Sequence, residues 1–409
     1  YTDLGSALYK KGRIDEAMVE FQEALALKPS DPDSYNAIGA AYVQKGRIDE
    51  AIGFFRKALE LSPDDQAAYN NLGNMLLKQG HVDEAITNLQ EAVKFGPDDP
   101  EAYNALANAY LKKGDEAAAT TNYEKAVELD ADNAGIQNNL AASLFKQGRV
   151  DEAILHFQKA LKINPAYPGA EVSLAVALAK AGQTEDAIGH YRHVLTLNVN
   201  DVDASFHLAN ILMAQGHVGE AIVYYWKTLE VNPQQAEAES DLGLAYLQTG
   251  DRTNAVEHLG KAVALVAGNA KAHANLATAL MAEGRAADAI VHYQKALDLQ
   301  PHYLEAEGGL AWALATAPEA LVRNGARAVE LAQEANTLAH ENNPLVMRIL
   351  AAAYAEDNRF AEAIDTAQQA LTLANSQRNG ALAGVLEKEL ALYHAGLPFH
   401  NVPRAVKSN

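Results

Sequence analysis

The chain has 409 residues, no cysteine and a formal net charge of -20. That balance opposes nucleic acid and anionic membranes, since a phosphate-binding surface needs a basic stripe. The missing thiols exclude disulfides, thiolate metal sites and cysteine nucleophiles. Residues are 49% hydrophobic but only 7% aromatic, an alanine-rich share that suits close-packed helices better than a sheet.

The chain opens at Tyr1 inside a pattern that completes itself further on, so an upstream segment is expected. The full pattern first appears over 32–65 as PDSYNAIGAAYVQKGRIDEAIGFFRKALELSPDD. With Pro32 as position 1, Tyr35, Ile38, Gly39 and Tyr42 occupy positions 4, 7, 8 and 11, one face of a helix. Gly46 at position 15 predicts a left-handed C-cap. Asp49 is expected to N-cap a second helix, on which Ala51, Phe55 and Ala58 fill positions 20, 24 and 27. Pro63 ends that helix. Each unit therefore reads as two antiparallel helices, with small residues at 8, 20 and 27 where the helices approach most closely.

The turn glycine recurs every 34 residues, as Gly12, Gly46, Gly80, Gly114, Gly148, Gly182, Gly216, Gly250 and Gly284. Ala17, Ala51, Ala85, Ala119, Ala153, Ala187, Ala221, Ala255 and Ala289 keep the same step. Helices of this length are marginal alone, so stacking must stabilise them. The period breaks after Gln300. A turn lengthened by about five residues precedes Ala328, Ala332 and Ala335, and a further unit starts at Pro344. A lone amphipathic helix follows, with Leu382, Leu386, Leu390 and Tyr393 on one face. The segments expected are a regular array over 1–303 with a truncated first repeat, two divergent units over 304–377, a capping helix over 378–396 and a mobile tail over 397–409.

This position set resembles the tetratricopeptide repeat (TPR) family. The resemblance implies an all-α TPR solenoid, a right-handed superhelix of helix-turn-helix repeats closed by a C-terminal capping helix. The stretch 310–399, with AWALATAP, RNGARAVELAQEA, LAAAYAEDNRFAEAI and LYHAGLPF, is similar to the end of bacterial multi-TPR proteins. Some of these carry the array behind a membrane glycosyltransferase domain or an envelope anchor. That likeness slightly favours the cell envelope or exterior and leaves the cytoplasm open.

In the family, first helices line a concave groove through positions 2, 5, 6, 9, 12 and 13. Positions 5, 6 and 9 here hold Asn36, Asn70, Asn71, Asn74, Asn104, Asn108, Asn138, Asn139, Asn210 and Asn275. Position 13 holds Lys10, Lys78, Lys112, Lys146 and Lys180. The amides resemble the asparagine ladder in the TPR arm of O-linked N-acetylglucosamine transferases. They would pair with an extended peptide backbone beside a lysine rail for carboxylates; Asn and Lys are also simply common at these positions. No Lys stands at position 5, which removes the co-chaperone carboxylate clamp.

His190 and His193 form an HxxH without a third ligand nearby in sequence, so no metal, cofactor or catalytic residue is expected. No P-loop, HExxH or G-x-S-x-G is present. The expected function is a non-catalytic scaffold that binds proteins or extended peptides in the groove, without nucleic acid and without insertion of this segment into a membrane. Two alternatives stay open: end-to-end self-association into a structural filament or surface fibre, favoured by the near-identity of the units, and a substrate-recruiting arm of a larger bacterial glycosyltransferase.

Overall fold

A computed structural model describes residues 1–401, apart from the Pro168 side chain. Among the described residues there are helices and no strands. They divide into two compact units, Tyr1–Val194 and Leu195 onward. The first holds α1 (Thr2–Lys10) with α2 (Ile14–Leu27), α3 (Pro32–Gln44) with α4 (Ile48–Leu61), and α5 (Gln66–Gln79) with α6 (Val82–Phe95). Next come α7 (Pro100–Lys113) with α8 (Glu116–Leu129), α9 (Ala134–Lys146) with α10 (Val150–Ile163), and α11 (Pro168–Lys180) with α12 (Thr184–Leu197), whose last turn, 195–197, falls in the second unit. The second unit holds α13 (Val202–Ala214) with α14 (Val218–Val231), α15 (Ala236–Thr249) with α16 (Arg252–Leu265), and α17 (Ala270–Glu283) with α18 (Ala286–Leu299). It ends with α19 (Leu304–Thr316) and α20 (Gly325–Leu338), α21 (Pro344–Glu356) and α22 (Phe360–Ser376), and the single helix α23 (Gly380–His394). No described helix is long and apolar enough to cross a membrane.

Every expected turn glycine is left-handed, with φ between 72° and 90°. A Cβ there would meet nothing within 4 Å, so conformation rather than space requires glycine. Asn358, at φ 60°, takes the same role after α21. The next residue closes the cap, as when Arg47 N–H bonds the Tyr42 carbonyl at 3.0 Å.

The N-cap expectation needs correction. Asp49 lies inside α4, and Arg47 occupies the cap without a side-chain hydrogen bond. Only where Asp follows the glycine does the carboxylate cap, as Asp115 does for Ala118 N–H and Asp251 for Asn254 N–H. Asp49 instead accepts from Gln79 of the following repeat at 2.5 Å. Asp15 and Asp83 take Lys45 and Lys113 in the same way, at 2.6 and 2.8 Å. Position 18 thus links neighbours rather than starting a helix.

Packing follows the period. The alanines at position 20 are fully buried in all nine regular repeats, and Phe55, Leu89, Tyr123 and Phe157 lie beneath them at position 24. A Cβ on Gly39 would sit 2.5 Å from the Phe55 ring. At the same position another hairpin carries Ala141, with Phe157 still buried at position 24. The lengthened turn between α19 and α20 is tied differently. Arg323 donates to the Ala317 and Pro318 carbonyls at 2.8 and 3.1 Å and to Glu356 at 2.8 Å. Gly325 then passes so close to α21 that a Cβ would lie 2.6 Å from the Asp357 backbone nitrogen.

Within the expected tail, Phe399 packs on Trp312, with ring centroids 5.8 Å apart, and Asn401 N–H donates to the Thr316 carbonyl at 2.7 Å. The remainder of the expected tail, 402–409, lies outside the described residues.

Both glycine contacts fall in the range of about 1–3 kcal/mol for overpacking. Gly325→Ala, which must move backbone, is expected to lower the urea midpoint clearly more than Gly39→Ala, which needs only a ring shift. Equal shifts would contradict this packing account.

Candidate functional site

Within each unit the first helices of successive repeats touch one another, α3 on α5 on α7 and α13 on α15 on α17 on α19. In each unit they form a row that carries positions 5, 6 and 9.

In the first unit this row carries the expected amides, all half-buried. Asn71 donates to Asn36 at 2.9 Å and Asn139 to Asn104 at 3.0 Å, each from position 6 to position 5 of the preceding repeat. Asn74 donates to Asn70 at 3.3 Å. Asn108 accepts from the buried Tyr123 hydroxyl at 2.6 Å, and in the second unit Asn210 does the same for Tyr225 at 2.7 Å. The amides thus bond repeats together and hold a core tyrosine, each keeping donor or acceptor capacity in reserve. Asn138 stands apart, because its Oδ1 is buried and takes no hydrogen bond.

The lysines serve the seams between repeats. Lys112 donates to the Leu77 carbonyl at 2.7 Å, Lys146 pairs with Glu116 at 2.7 Å, and Lys180 lies 4.9 Å over the Phe145 ring. Lys78 is exposed.

The second unit presents hollows along the row. One, of about 390 Å³, is bounded by Phe206, Asn210, Glu237, Ser240, Asp241 and Lys271. Burial pushes the Asp241 carboxyl up to about 6, against the opposing pull of Lys271, and Glu237 adds to the rise. A larger apolar hollow, about 430 Å³, lies between α17, α19 and α21. Gly308 and Gly309 stand at positions 5 and 6 there: the Tyr293 ring packs where a Gly309 side chain would be, and Gly308 leaves the floor open between Trp312 and Ile349. Leu345 and Ile349 form the far wall.

Trp312 is held from two sides. The Arg348 guanidinium lies 4.4 Å over its ring, and Phe399 packs against it. Arg348 in turn forks onto Glu389 of α23, with contacts of 2.6 to 3.0 Å, and Glu389 is 2% exposed. A search for amides at inner positions passes over this hollow. Its signal is the triplet of Gly308, Gly309 and Trp312 at 5, 6 and 9.

A second polar feature runs inside the hairpins, where position 4 faces position 23. His156 bonds Gln137 at 2.7 Å, His258 bonds Glu239 at 2.6 Å, and His273 meets His292 at 2.9 Å. Burial, then the charge of His273, lowers the pKa of His292. The HxxH residues belong to this stripe: His190 and His193 converge on buried Glu171 at 3.2 and 2.6 Å. Folding supplies the third residue that the local sequence lacks.

The TPR repeat model matches residues 5–46, 39–80 and 73–114, and further tetratricopeptide repeat models match 104–170, 172–236, 240–265 and 270–303. No curated protein sequence matches the chain. Among solved structures, the chain is similar to Pseudomonas aeruginosa PilF, with 24% identity over 50% of this chain and 93% of that one and a TM-score of 0.45. It is also similar to yeast Tom70, at 16% identity over 96% of each chain and a TM-score of 0.41. YrrB, described as a TPR protein with an unusual peptide-binding site, shares 21% identity over 45% of this chain and 95% of its own, with a TM-score of 0.40.

The raised Asp241 pKa makes a signed prediction. Its folded value of about 6 lies above the ordinary 3.8, so the stability linked to its proton is complete below 3.8 and is lost as pH rises through about 6. Asp241→Asn should melt with the parent at acid pH and increasingly above it as pH rises through that window. A melting difference independent of pH would contradict the burial argument.

Proposed function

We propose a function on the premise that the chain belongs to the tetratricopeptide-repeat family: it is a non-catalytic scaffold that binds a partner protein through an extended segment laid along the first-helix row. The observation that carries this reading is the hollow at Gly308, Gly309 and Trp312. It is an apolar recess at inner positions, with its aromatic wall fixed by Arg348 and Phe399 before any ligand arrives. Preorganisation of this kind reduces the entropy lost on binding. The recess suits one large apolar side chain of the bound segment, and extended segments dock by alternating such anchors with backbone contacts.

The amides of the first unit supply the polar part of the reading. Their remaining donors and acceptors suit backbone groups.

Peptides selected from a random displayed library against the full chain would test the anchor. Leu345 is 49% exposed, so Leu345→Asp should leave melting unchanged while weakening selected peptides by more than about tenfold, a loss of about 1.4 kcal/mol. Selected sequences should share a large apolar residue. Peptides that bind Leu345→Asp as well as the parent would overturn the anchor.

A further inference from the structure

Glu307 begins a separate line of argument. It occupies position 4 of α19 and is 2% exposed. In four earlier hairpins the polar residue at this position meets a histidine at position 23: Gln137 with His156, Glu171 with His190, Glu239 with His258, and His273 with His292. Counted from Ala328 at position 20, position 23 of α20 is Leu331, which is itself buried. Glu307 has therefore lost the partner its equivalents keep. Its Oε2 is buried and accepts no hydrogen bond.

What approaches Glu307 instead is Glu334, at position 26, the place where α12 carries His193. A carboxylate thus stands where a donor stood. The third neighbour is His302, in the turn before α19, whose Nδ1 lies 3.5 Å from Glu307 Oε1. One donor atom from each of the three residues falls within 4.8 Å of the others.

Two facing carboxylates, one of them out of water, are costly unless something positive joins them. The neutral imidazole is a nitrogen donor, and with two carboxylate oxygens it makes the mixed set that first-row divalent metals take. Metal–ligand bonds of about 2.0–2.2 Å in a tetrahedral site imply ligand-to-ligand edges of about 3.3–3.6 Å. The His302–Glu307 separation already has that length. Glu334 and His302 are both exposed side chains at the rim, free to close the remaining distance, while Glu307 is fixed by packing. A hollow of about 440 Å³, lined by His302 and Glu334 together with Gln333 and Thr337, leaves room for a water as the open ligand.

We propose that His302, Glu307 and Glu334 form a binding site for a first-row divalent metal ion, with zinc as its probe. The ion joins the turn before α19, the buried edge of α19 and the exposed face of α20. It thereby replaces the position-23 partner that the irregular hairpin lacks. The rival is a proton held by Glu307, whose pKa is raised by burial and then by Glu334.

Titration of the full chain, carrying no affinity histidines, with zinc chloride against a competing chelating dye separates the two. The expected result is one zinc per chain at this site and a rise in melting temperature on loading. His302→Ala and Glu334→Gln, both on exposed side chains, should each weaken that zinc by more than about tenfold and leave metal-free melting unchanged. Glu307→Gln should abolish the zinc-induced rise while raising metal-free melting, since it removes the unpaired acid. The proposal is overturned if zinc affinity is the same in His302→Ala and Glu334→Gln as in the parent. It is equally overturned if the bound zinc disappears in the double variant His190→Ala with His193→Ala, or if zinc leaves melting where it was.

Discussion

The contact between position 24 of a second helix and the small residue at position 8 of its own first helix governs this protein. Phe21 on Gly5, Phe55 on Gly39, Leu89 on Gly73 and Leu259 on Gly243 are the same contact repeated. It draws two marginal helices close enough to share a core while leaving each hairpin with open sides. Those sides are covered by the next hairpin, as in quasi-one-dimensional repeat stacks. Everything else on a repeat is then available for seams and surfaces.

The seams show how little chemistry such stacking needs. Bonds from Lys45 to Asp15, Gln79 to Asp49 and Lys113 to Asp83 repeat one geometry along an exposed edge. Exposed pairs of this kind contribute little individually; their value is in setting the register between neighbours. The half-buried rungs from Asn71 to Asn36 and from Asn139 to Asn104 do the same on the inner row. One residue type can thus hold two repeats together and still offer hydrogen-bonding capacity to a guest. The stripe of half-buried His156 and His292 and buried His258 adds polar specificity inside individual hairpins.

The helices, the turn glycines and the alanine core were legible in the sequence because each depends on a local rule repeated at one spacing. Gly46 needs only its own φ, and Ala51 only its own neighbours. Asp49 misled because capping depends on where the helix begins, and a two-residue displacement turns a cap into a link between repeats. The hollow beside Trp312 escaped notice because it arises from a side chain that is absent, at Gly308, while its wall is fixed by Arg348 and Phe399 from far along the chain. Glu307 and Glu334 escaped for a related reason. The lengthened turn breaks the count between them, so their approach exists only once α20 has folded back on α19. Leu397–Asn401 lack periodicity of any kind, and their docking rests on one aromatic contact and a few hydrogen bonds.

The fastening of the last hairpins has a mechanical consequence. A stack of repeats yields most readily by peeling from an end, because a terminal hairpin is held on one side only. Here, opening at α23 requires the Arg348–Glu389 fork to part. Lifting the following segment requires loss of the Phe399–Trp312 contact, the His400–Glu356 pair at 2.8 Å and the Asn401 bond to Thr316. These attachments converge on α19 and α21, the helices that wall the apolar hollow. Displacing that segment would therefore strip Trp312, which borders the recess, of one of the two groups that hold it.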